Sequence, residues 1–554
     1  MENVKYDKKY FEQRRSEMKN IFEQIKPDLQ DLADFFAPNA VRFIARNVNK
    51  PHVKSKKILD STTFIAVRNF ASGMMTGATS PTRRWFKTGI MNINDKKLKL
   101  SYNAKTWCAN QAELTRKILY ASNFYQLLPE VYEQLGVFLF SCISMEKDFE
   151  NVVNFKVLPI GSYYYAKDGR GVVDTVCRNY MESAKNLVER YGLENCSQAV
   201  QEAYASSRPN ELFEIVHFVE PNREYKEGSP LSAQKKFVSV TYEVGNGATG
   251  FLNKAGFDKF PYVVFEASCN GEDAYPSKGC GVYALPDAKQ LMAMVKELGK
   301  AVKKMVSPAY QGPSSLKNKK LSDNPAYFNE DGDGTGVGIR PIHEVNPQVL
   351  ELKTIIAELR ENIKSIFYND LFAMILNTAE RGRTATEVNE LKEEKLVLLS
   401  PLLEQIHTAL KQIIEWLFYA EMEAGILPPV PQELEGQEIE IEFISTLAQA
   451  MKAQNIASME RFITFTANMA QAFDPVLLNK VRGENMIDDY ADFANIDPNQ
   501  IAPNEELDAI RQQQQEKQAQ AEQLQQLQAG SEMIKNIGGA DSYGAELMKR
   551  LGMG

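Results

Sequence analysis

A chain of 554 residues, 44% hydrophobic and 25% charged, can bury several cores, and its length predicts three or four domains. Its net charge of −8, from 64 basic and 72 acidic side chains, argues against a protein that grips nucleic acid tightly across a basic face. No run of eighteen apolar residues occurs, and the opening MENVKYDKKYFEQRR carries no apolar leader core, so neither a membrane-spanning helix nor export by a signal peptide is expected. The six cysteines (Cys108, Cys142, Cys177, Cys196, Cys269 and Cys280) lack C-x-x-C spacing and are expected as buried, reduced thiols of a cytosolic protein.

Residues 6–36 predict an amphipathic helix, with Phe11, Met18, Ile21, Phe22, Ile25, Leu29, Leu32 and Phe36 on one face and Pro27 kinking or dividing it. FASGMMTGATSPTRRWF (70–86) predicts a helix closing in a tight loop. Its Arg83 and Arg84 suggest a phosphate contact, but two arginines fall short of a basic stripe. Trp85 and Phe86 in a core, with the arginines paired to carboxylates, is the better reading. Residues 104–121 and 127–141 predict two more helices, Pro129 sitting in the first turn of the second. The period then changes. VVNFKVLPIGSYYYAKDGRGVVDTVCRNY (152–180) has β-rich runs broken by Asp-Gly, the mark of antiparallel hairpins. A helical patch at 182–206 and strands near 212–219, 236–244 and 260–266 follow, so the first half reads as α+β within a predominantly helical chain.

The stretch from 285 to 424 organises the rest. LPDAKQL (285–291) opens a helix with Pro286 in its first turn, and Ala288, Leu291, Met292, Val295, Leu298, Val302 and Met305 follow at helical spacing. A second helix over 349–368 carries Leu352, Ile355, Ile356, Leu359, Ile363 and Phe367. Between them, 307–348 is rich in Gly, Pro, Asn, Asp and Lys and too long for a structureless loop, which predicts a small subdomain at the tip of a helical hairpin. TATEVNELKEEK (384–395) opens a long helix, Thr384 and Glu387 fitting a capping box and Pro401 kinking the rod. Residues 425–443 hold PPVP and the alternation Ile439, Ile441, Phe443, a strand expected to return toward the earlier sheet. Helices resume over 447–473. From Pro498 the chain turns Gln-rich; 505–528 has good helix formers but a thin apolar stripe, so it either packs against copies of itself or is partly disordered.

Several motifs point to chemistry and fail on context. Gly245, Gly247 and Gly250 match a dinucleotide fingerprint, but FLNKAGF after them has no helical period, so a hairpin turn is expected. Asn329, Asp331 and Asp333 begin like a calcium loop, yet its twelfth position is Arg340 where a bidentate glutamate is required. There is no Walker lysine motif, and His52, His217, His343 and His407 are scattered without a nucleophile motif. No catalytic constellation, metal site or cofactor is indicated. Lys296, Lys300, Lys303 and Lys304 crowd the end of the first hairpin helix, where a helix C-terminus favours cations. Lys317, Lys319 and Lys320 lie in the insert, and Glu380, Arg381 and Arg383 in a charged loop between helices.

The ordered set FASGMMTGATSPTRRWF, NFYQLLPEVYEQLGVF (123–138), LPDAKQL, TATEVNELKEEK and ISTLAQA (444–450) resembles the portal, or head-to-tail connector, proteins of short-tailed, T7-like bacteriophages. That resemblance implies a virion protein assembled in the host cytoplasm, a homo-oligomeric ring of about twelve subunits at one capsid vertex with a central channel. It further implies a wing region at 1–284, a first stem helix at 285–306, a clip at 307–348, a second stem helix at 349–373 and a tunnel loop at 374–384. Residues 385–497 would complete the wing with the long helix, strand and following helices, and 498–554 would form the crown helix and tail. Glu380, Arg381 and Arg383 would then meet double-stranded DNA in the channel without regard to sequence. Lys296, Lys300, Lys303 and Lys304 would form a basic stem face, and Lys317, Lys319 and Lys320 a clip surface for the large terminase subunit and later a tail adaptor. Major capsid and scaffold proteins are further implied partners, with no enzymatic role. A tail adaptor or other virion ring protein, and more distantly a nucleic-acid enzyme without a standard motif, are the alternative readings.

Overall fold

The computed structural model describes residues 6–44, 57–90, 102–148, 150–206, 208–245, 250–307, 310–311, 340–341, 349–376, 385–434 and 439–472, with 483, 486–487, 490, 507 and 510–521 beyond them. In chain order the elements are α1 (Lys8–Phe35), α2 (Thr62–Ala78), β1 (Phe86–Ile90), α3 (Tyr102–Ala121), α4 (Phe124–Phe138), β2 (Phe140–Asp148), β3 (Val152–Leu158), β4 (Tyr163–Lys167) and β5 (Val173–Ser183). Then come α5 (Ala184–Tyr191), α6 (Gln198–Ala205), β6 (Leu212–Pro221), β7 (Phe237–Glu243), β8 (Asn253–Phe257), β9 (Tyr262–Glu266) and α7 (Cys280–Val306). The last are β10 (Tyr310–Gln311), β11 (Arg340–Pro341), α8 (Val349–Ile366), α9 (Asn369–Leu376), α10 (Ala385–Glu423), β12 (Ile439–Phe443) and α11 (Thr446–Ala472). This is an α+β chain dominated by helix.

Two compact units divide it. The first takes residues 1–89, 111–429 and 439–458. Its β-structure is an antiparallel three-stranded sheet ordered β3-β2-β9 and a five-stranded sheet ordered β4-β5-β6-β7-β8. Asp168 makes the β4–β5 turn by accepting from the backbone N–H groups of Arg170 and Val172, both at 2.9 Å, an Asx-type solution to the tight reversal. Asp7 caps α1 by accepting from the Tyr10 N–H at 2.9 Å, and Ser183 and Ser197 do the same for α5 and α6. The apolar face of α1 lies on the five-stranded sheet, with Phe11 against Phe218 (centroids 5.3 Å) and Phe22 against Tyr164 (5.2 Å). Arg15 fixes the register of that packing through Glu214 and Asn179, each at 3.0 Å. The two sheets are joined by a buried charge pair, Lys167 to Glu266 at 2.8 Å with both side chains 8% exposed, and Tyr165 donates to the same carboxylate at 2.7 Å.

The second unit comprises 90–110, 430–438 and 459–554. Within it Ala104, Trp107, Cys108 and Leu434 are buried, and Tyr490 donates to Glu460 at 3.2 Å. Residues 510–521 are helical with exposed side chains; the rest of the expected crown, 498–554, lies outside the described residues apart from Leu507.

Several expectations need correcting. Pro27 lies inside an unbroken α1, and Ile21 is exposed rather than on the packed face. Helix α4 opens at Phe124 and ends at Phe138, so Pro129 is past its first turn. Helix α7 begins at Cys280, which places Pro286 in its second turn. Strand β8 was not foreseen, and β12 pairs with β1 in a two-stranded sheet of its own rather than joining an earlier one. Cys269 is exposed, unlike the other five thiols. The glycine-rich segment after β7 leads into antiparallel β8 and no helix, as a hairpin requires. Trp85 and Phe86 are both 1% exposed. Trp85 donates to the Tyr125 hydroxyl at 3.0 Å, while Arg84 reaches Glu113 at 3.8 Å and Arg83 turns to the Thr446 hydroxyl at 3.5 Å.

At Gly281, near the start of α7, a Cβ would stand 2.0 Å from the Val137 carbonyl oxygen, a backbone atom that cannot swing aside. Gly281→Ala is therefore expected to destabilise the first unit by about 1–3 kcal/mol, read as a lowered midpoint in a thermal melt. A melting curve superimposable on the parent's would contradict this packing.

Candidate channel and docking elements

The helical hairpin is α7 packed along α8. Its burial is graded. Near the body Ala288, Leu291, Met292, Ile356, Leu359, Ile363 and Phe367 are buried, while Val302, Met305, Val306 and Leu350 at the far end are 42%, 51%, 80% and 82% exposed. The insert begins and ends in one short ladder, β10 pairing antiparallel with β11 through Tyr310–Pro341 and Gln311–Arg340. Lys317, Lys319 and Lys320 fall outside the described residues.

At the base of the hairpin four aromatic rings meet. Phe367 packs on Phe36 (5.6 Å) and on Phe70 (6.1 Å), and Phe70 packs on Phe372 (6.1 Å). Gly73 makes the approach possible, since a Cβ there would sit 2.2 Å from the Phe372 ring. Gly136 serves Phe70 in the same way at 2.9 Å. Polar ties flank the node. Arg360 holds the largely buried Asp60 at 2.6 Å, and hydrogen bonds from Thr62 and Arg360 keep the Asp60 carboxyl below its usual range despite burial. Lys289 reaches Asp31 on α1 at 2.7 Å.

Lys296, Lys300, Lys303 and Lys304 are all exposed along the distal half of α7, Lys303 and Lys304 in its last turn. Lys300 pairs with Glu297 at 2.6 Å and, with the fields of Lys300, Lys296 and Lys304, lowers the Glu297 carboxyl pKa. A pair this exposed contributes little stability. Beyond α8, Tyr368 takes a left-handed backbone (φ 56°) and α9 carries the chain to Leu376, so helix occupies the first three positions expected as loop. Glu380, Arg381 and Arg383 lie outside the described residues, as does the Thr384–Glu387 cap.

Helix α10 runs 39 residues with Pro401 inside it, about 60 Å of rod. Its buried stripe, Leu399, Leu403, Ile406, Leu410, Ile413, Ile414 and Leu417, packs on the body, and His407 stacks on Phe443 with centroids 4.2 Å apart. At its C-terminal end sits a group that periodicity passed over. Glu421 is fully buried, accepting from Thr115 at 2.6 Å and Gln111 at 3.2 Å on α3. Burial outweighs both hydrogen bonds and pushes its carboxyl up to about 7. A signal was available: Glu421 follows Leu410, Ile414 and Leu417 on the apolar stripe, where an acid must find donors. Asp60 and the paired glycines carried no such sign.

A family model described as bacteriophage head to tail connecting protein matches residues 8–501. The chain belongs to that family. The connector is 32% identical over 532 residues to a portal protein of Salmonella phage epsilon15, 94% of each chain being covered. It is also 33% identical over 517 residues to a probable portal protein of Bordetella phage BPP-1, covering 93% of the connector and 92% of that protein. The resemblance carried by the sequence motifs is thereby shown, and the connector is a phage portal protein. Among its described residues no group of three or more His, Cys, Asp or Glu side chains could hold a metal ion, and no helix is long and apolar enough to cross a membrane.

Glu421 gives a pH dependence of known sign. A carboxyl whose folded pKa lies above its ordinary 4.5 binds its proton more tightly in the folded chain. Its contribution is therefore full below about pH 4.5 and is lost as pH rises toward 7. Glu421→Gln is expected to flatten that part of the stability–pH curve and to raise stability above pH 7 by roughly 1–3 kcal/mol, measured by thermal melts across the range. An unaltered slope in the variant would show that Glu421 titrates normally.

Proposed function

We propose that the connector is the subunit of a closed ring at one capsid vertex, a virion conduit through which double-stranded DNA is packaged and later ejected. In this reading α7 and α8 form the stem, 307–348 the clip, the segment ending at Thr384 the tunnel loop, and 1–284 with 385–497 the wing, leaving 498–554 as crown. The observation that carries it is the graded burial of the hairpin, whose far end presents Val302, Met305, Val306 and Leu350 to solvent in a single chain. Side chains of that kind are covered in obligate assemblies by the same element of a neighbouring copy. The names of the two portal relatives and the match over nearly the whole chain support the same reading.

The mechanism is mechanical and the chain itself contributes no chemistry. A separate motor, the large terminase subunit, docks on the clip and drives DNA inward; a tail adaptor takes that surface later, and capsid and scaffold proteins meet the wing. With a net charge of −8 per subunit, DNA slides rather than sticks, except where Arg381 and Arg383 repeat around the lumen as a basic collar. Such a collar touches phosphates alone, so its grip is independent of sequence and weakens with salt.

Electron-microscope class averages viewed end-on, with native mass to count subunits, test the architecture. A closed ring of about twelve copies with a central hole is expected; a chain that stays monomeric even with scaffold protein present would refute it. The loop is tested separately. Arg381→Ala combined with Arg383→Ala should leave rings intact and reduce DNA packaging or retention, and unchanged packaging would remove these arginines from the channel.

A further inference from the structure

One cleft in the first unit is not absorbed by the conduit. It has a volume of about 410 Å³ and lies over one face of the five-stranded sheet, where β2 and β3 overhang it. The other face of that sheet packs on α1; this one carries a polar row across four strands, Arg178 on β5, His217 on β6, Thr241 on β7 and Asn253 on β8, each opposite the next in register. His217 forms the floor and is locked, one ring nitrogen meeting the Tyr262 hydroxyl at 2.5 Å and the other the Ser239 hydroxyl at 2.9 Å.

The charges around this floor do not balance. Four cations line it, Arg42, Lys156, Arg178 and Arg190, against two carboxylates, Glu146 and Glu182. Lys156 is paired with Glu146 at 2.7 Å, and Glu182 accepts from Asn186 at 2.6 Å. Among the described residues the three arginines have no carboxylate at ion-pair distance. Two are instead propped on aromatic rings, Arg178 over Tyr180 at 4.6 Å and Arg190 over Tyr191 at 5.7 Å, which leaves the edges of the guanidinium planes open. The third is fixed by its backbone, the Arg42 N–H donating to Ile160 at 2.7 Å. Arg42 and Arg178 are half-buried and Arg190 is exposed. Half-buried guanidinium groups held apart from carboxylates are costly unless an anion joins them, and their planar forks suit phosphate oxygens.

We propose that this cleft binds a phosphate dianion, either free or as the monoester of a mononucleotide. An excess of two positive charges matches a group carrying about −1.5 to −2, whereas one carboxylate would leave a charge over. The volume lies in the range of about 300–1,000 Å³ typical of small-molecule sites, and a DNA duplex is too wide to enter.

Calorimetric titration of the assembled full-length protein with sodium phosphate and with deoxyadenosine monophosphate tests this. Saturable binding at one site per chain is expected, weakened about ten-fold or more by Arg178→Gln and by Arg42→Gln. Should Arg178→Gln fail to fold, the more exposed Arg190→Gln carries the same expectation. Tighter binding of the nucleotide would identify the monoester as the natural form; tighter binding of phosphate, the free ion. No saturation of the parent protein by either ligand up to about 10 mM, or unchanged affinity in the variants, would overturn the proposal. So would binding seen only in dissociated subunits, since a neighbour's carboxylate would then fill the cleft in the assembly.

Discussion

The packing of Phe367 and Phe372 against Phe36 and Phe70 is the constraint on which the first unit depends. Aromatic side chains bury roughly 150–250 Å² each, and here they come from the end of α1, from α2 and from the junction of α8 with α9, three stretches well separated in the chain. The second hairpin helix α8 and the helix α9 that follows it meet at this node. Its closeness is set by two absent methyl groups, at Gly73 and Gly136, which let rings approach helix backbone. The packing at the base of the hairpin thus depends on glycines in α2 and α4, more than two hundred residues before the second hairpin helix.

Much of this architecture was legible because helical periodicity survives in elements that bury a single stripe. The hairpin helices, the long α10 and the antiparallel strands of 152–266 were visible as repeating patterns. Proline was the systematic source of error. Pro27, Pro129 and Pro286 all lie deeper inside unbroken helices than expected, while Pro401 lies inside α10 as expected; each removes a backbone hydrogen bond at a cost of about 3 kcal/mol. Local rules count that cost as a boundary; tertiary packing of buried neighbours such as Leu128, Val131, Ala284 and Leu403 offsets it. The partner of β12 was hidden for a different reason. Pairing with β1 spans some 350 residues, and alternation tells which face of a strand is buried, never which strand lies beside it.

The functional residues were less legible than the fold. Lys296, Lys300, Lys303 and Lys304 are exposed on α7 as a solvated face would be, but their role as a stem face, like the roles of Glu380, Arg381, Arg383 and the three insert lysines, rests on the family pattern alone. Charged loops and glycine-rich inserts carry no period from which burial can be derived. The polar row from Arg178 to Asn253 was missed because its members are scattered over four strands and converge only through sheet register. Glu421 could have been found, since an acid on an apolar stripe breaks its pattern at one position.

The ladder between Tyr310–Gln311 and Arg340–Pro341 has an evolutionary consequence. The chain leaves the hairpin and re-enters it through one short neck, where Tyr310 pairs with Pro341 and Gln311 with Arg340. Lengthening such an excursion costs little, about 0.6 kcal/mol of closure entropy for each doubling. Changes of length within this segment can therefore accumulate without disturbing the node from which the hairpin issues.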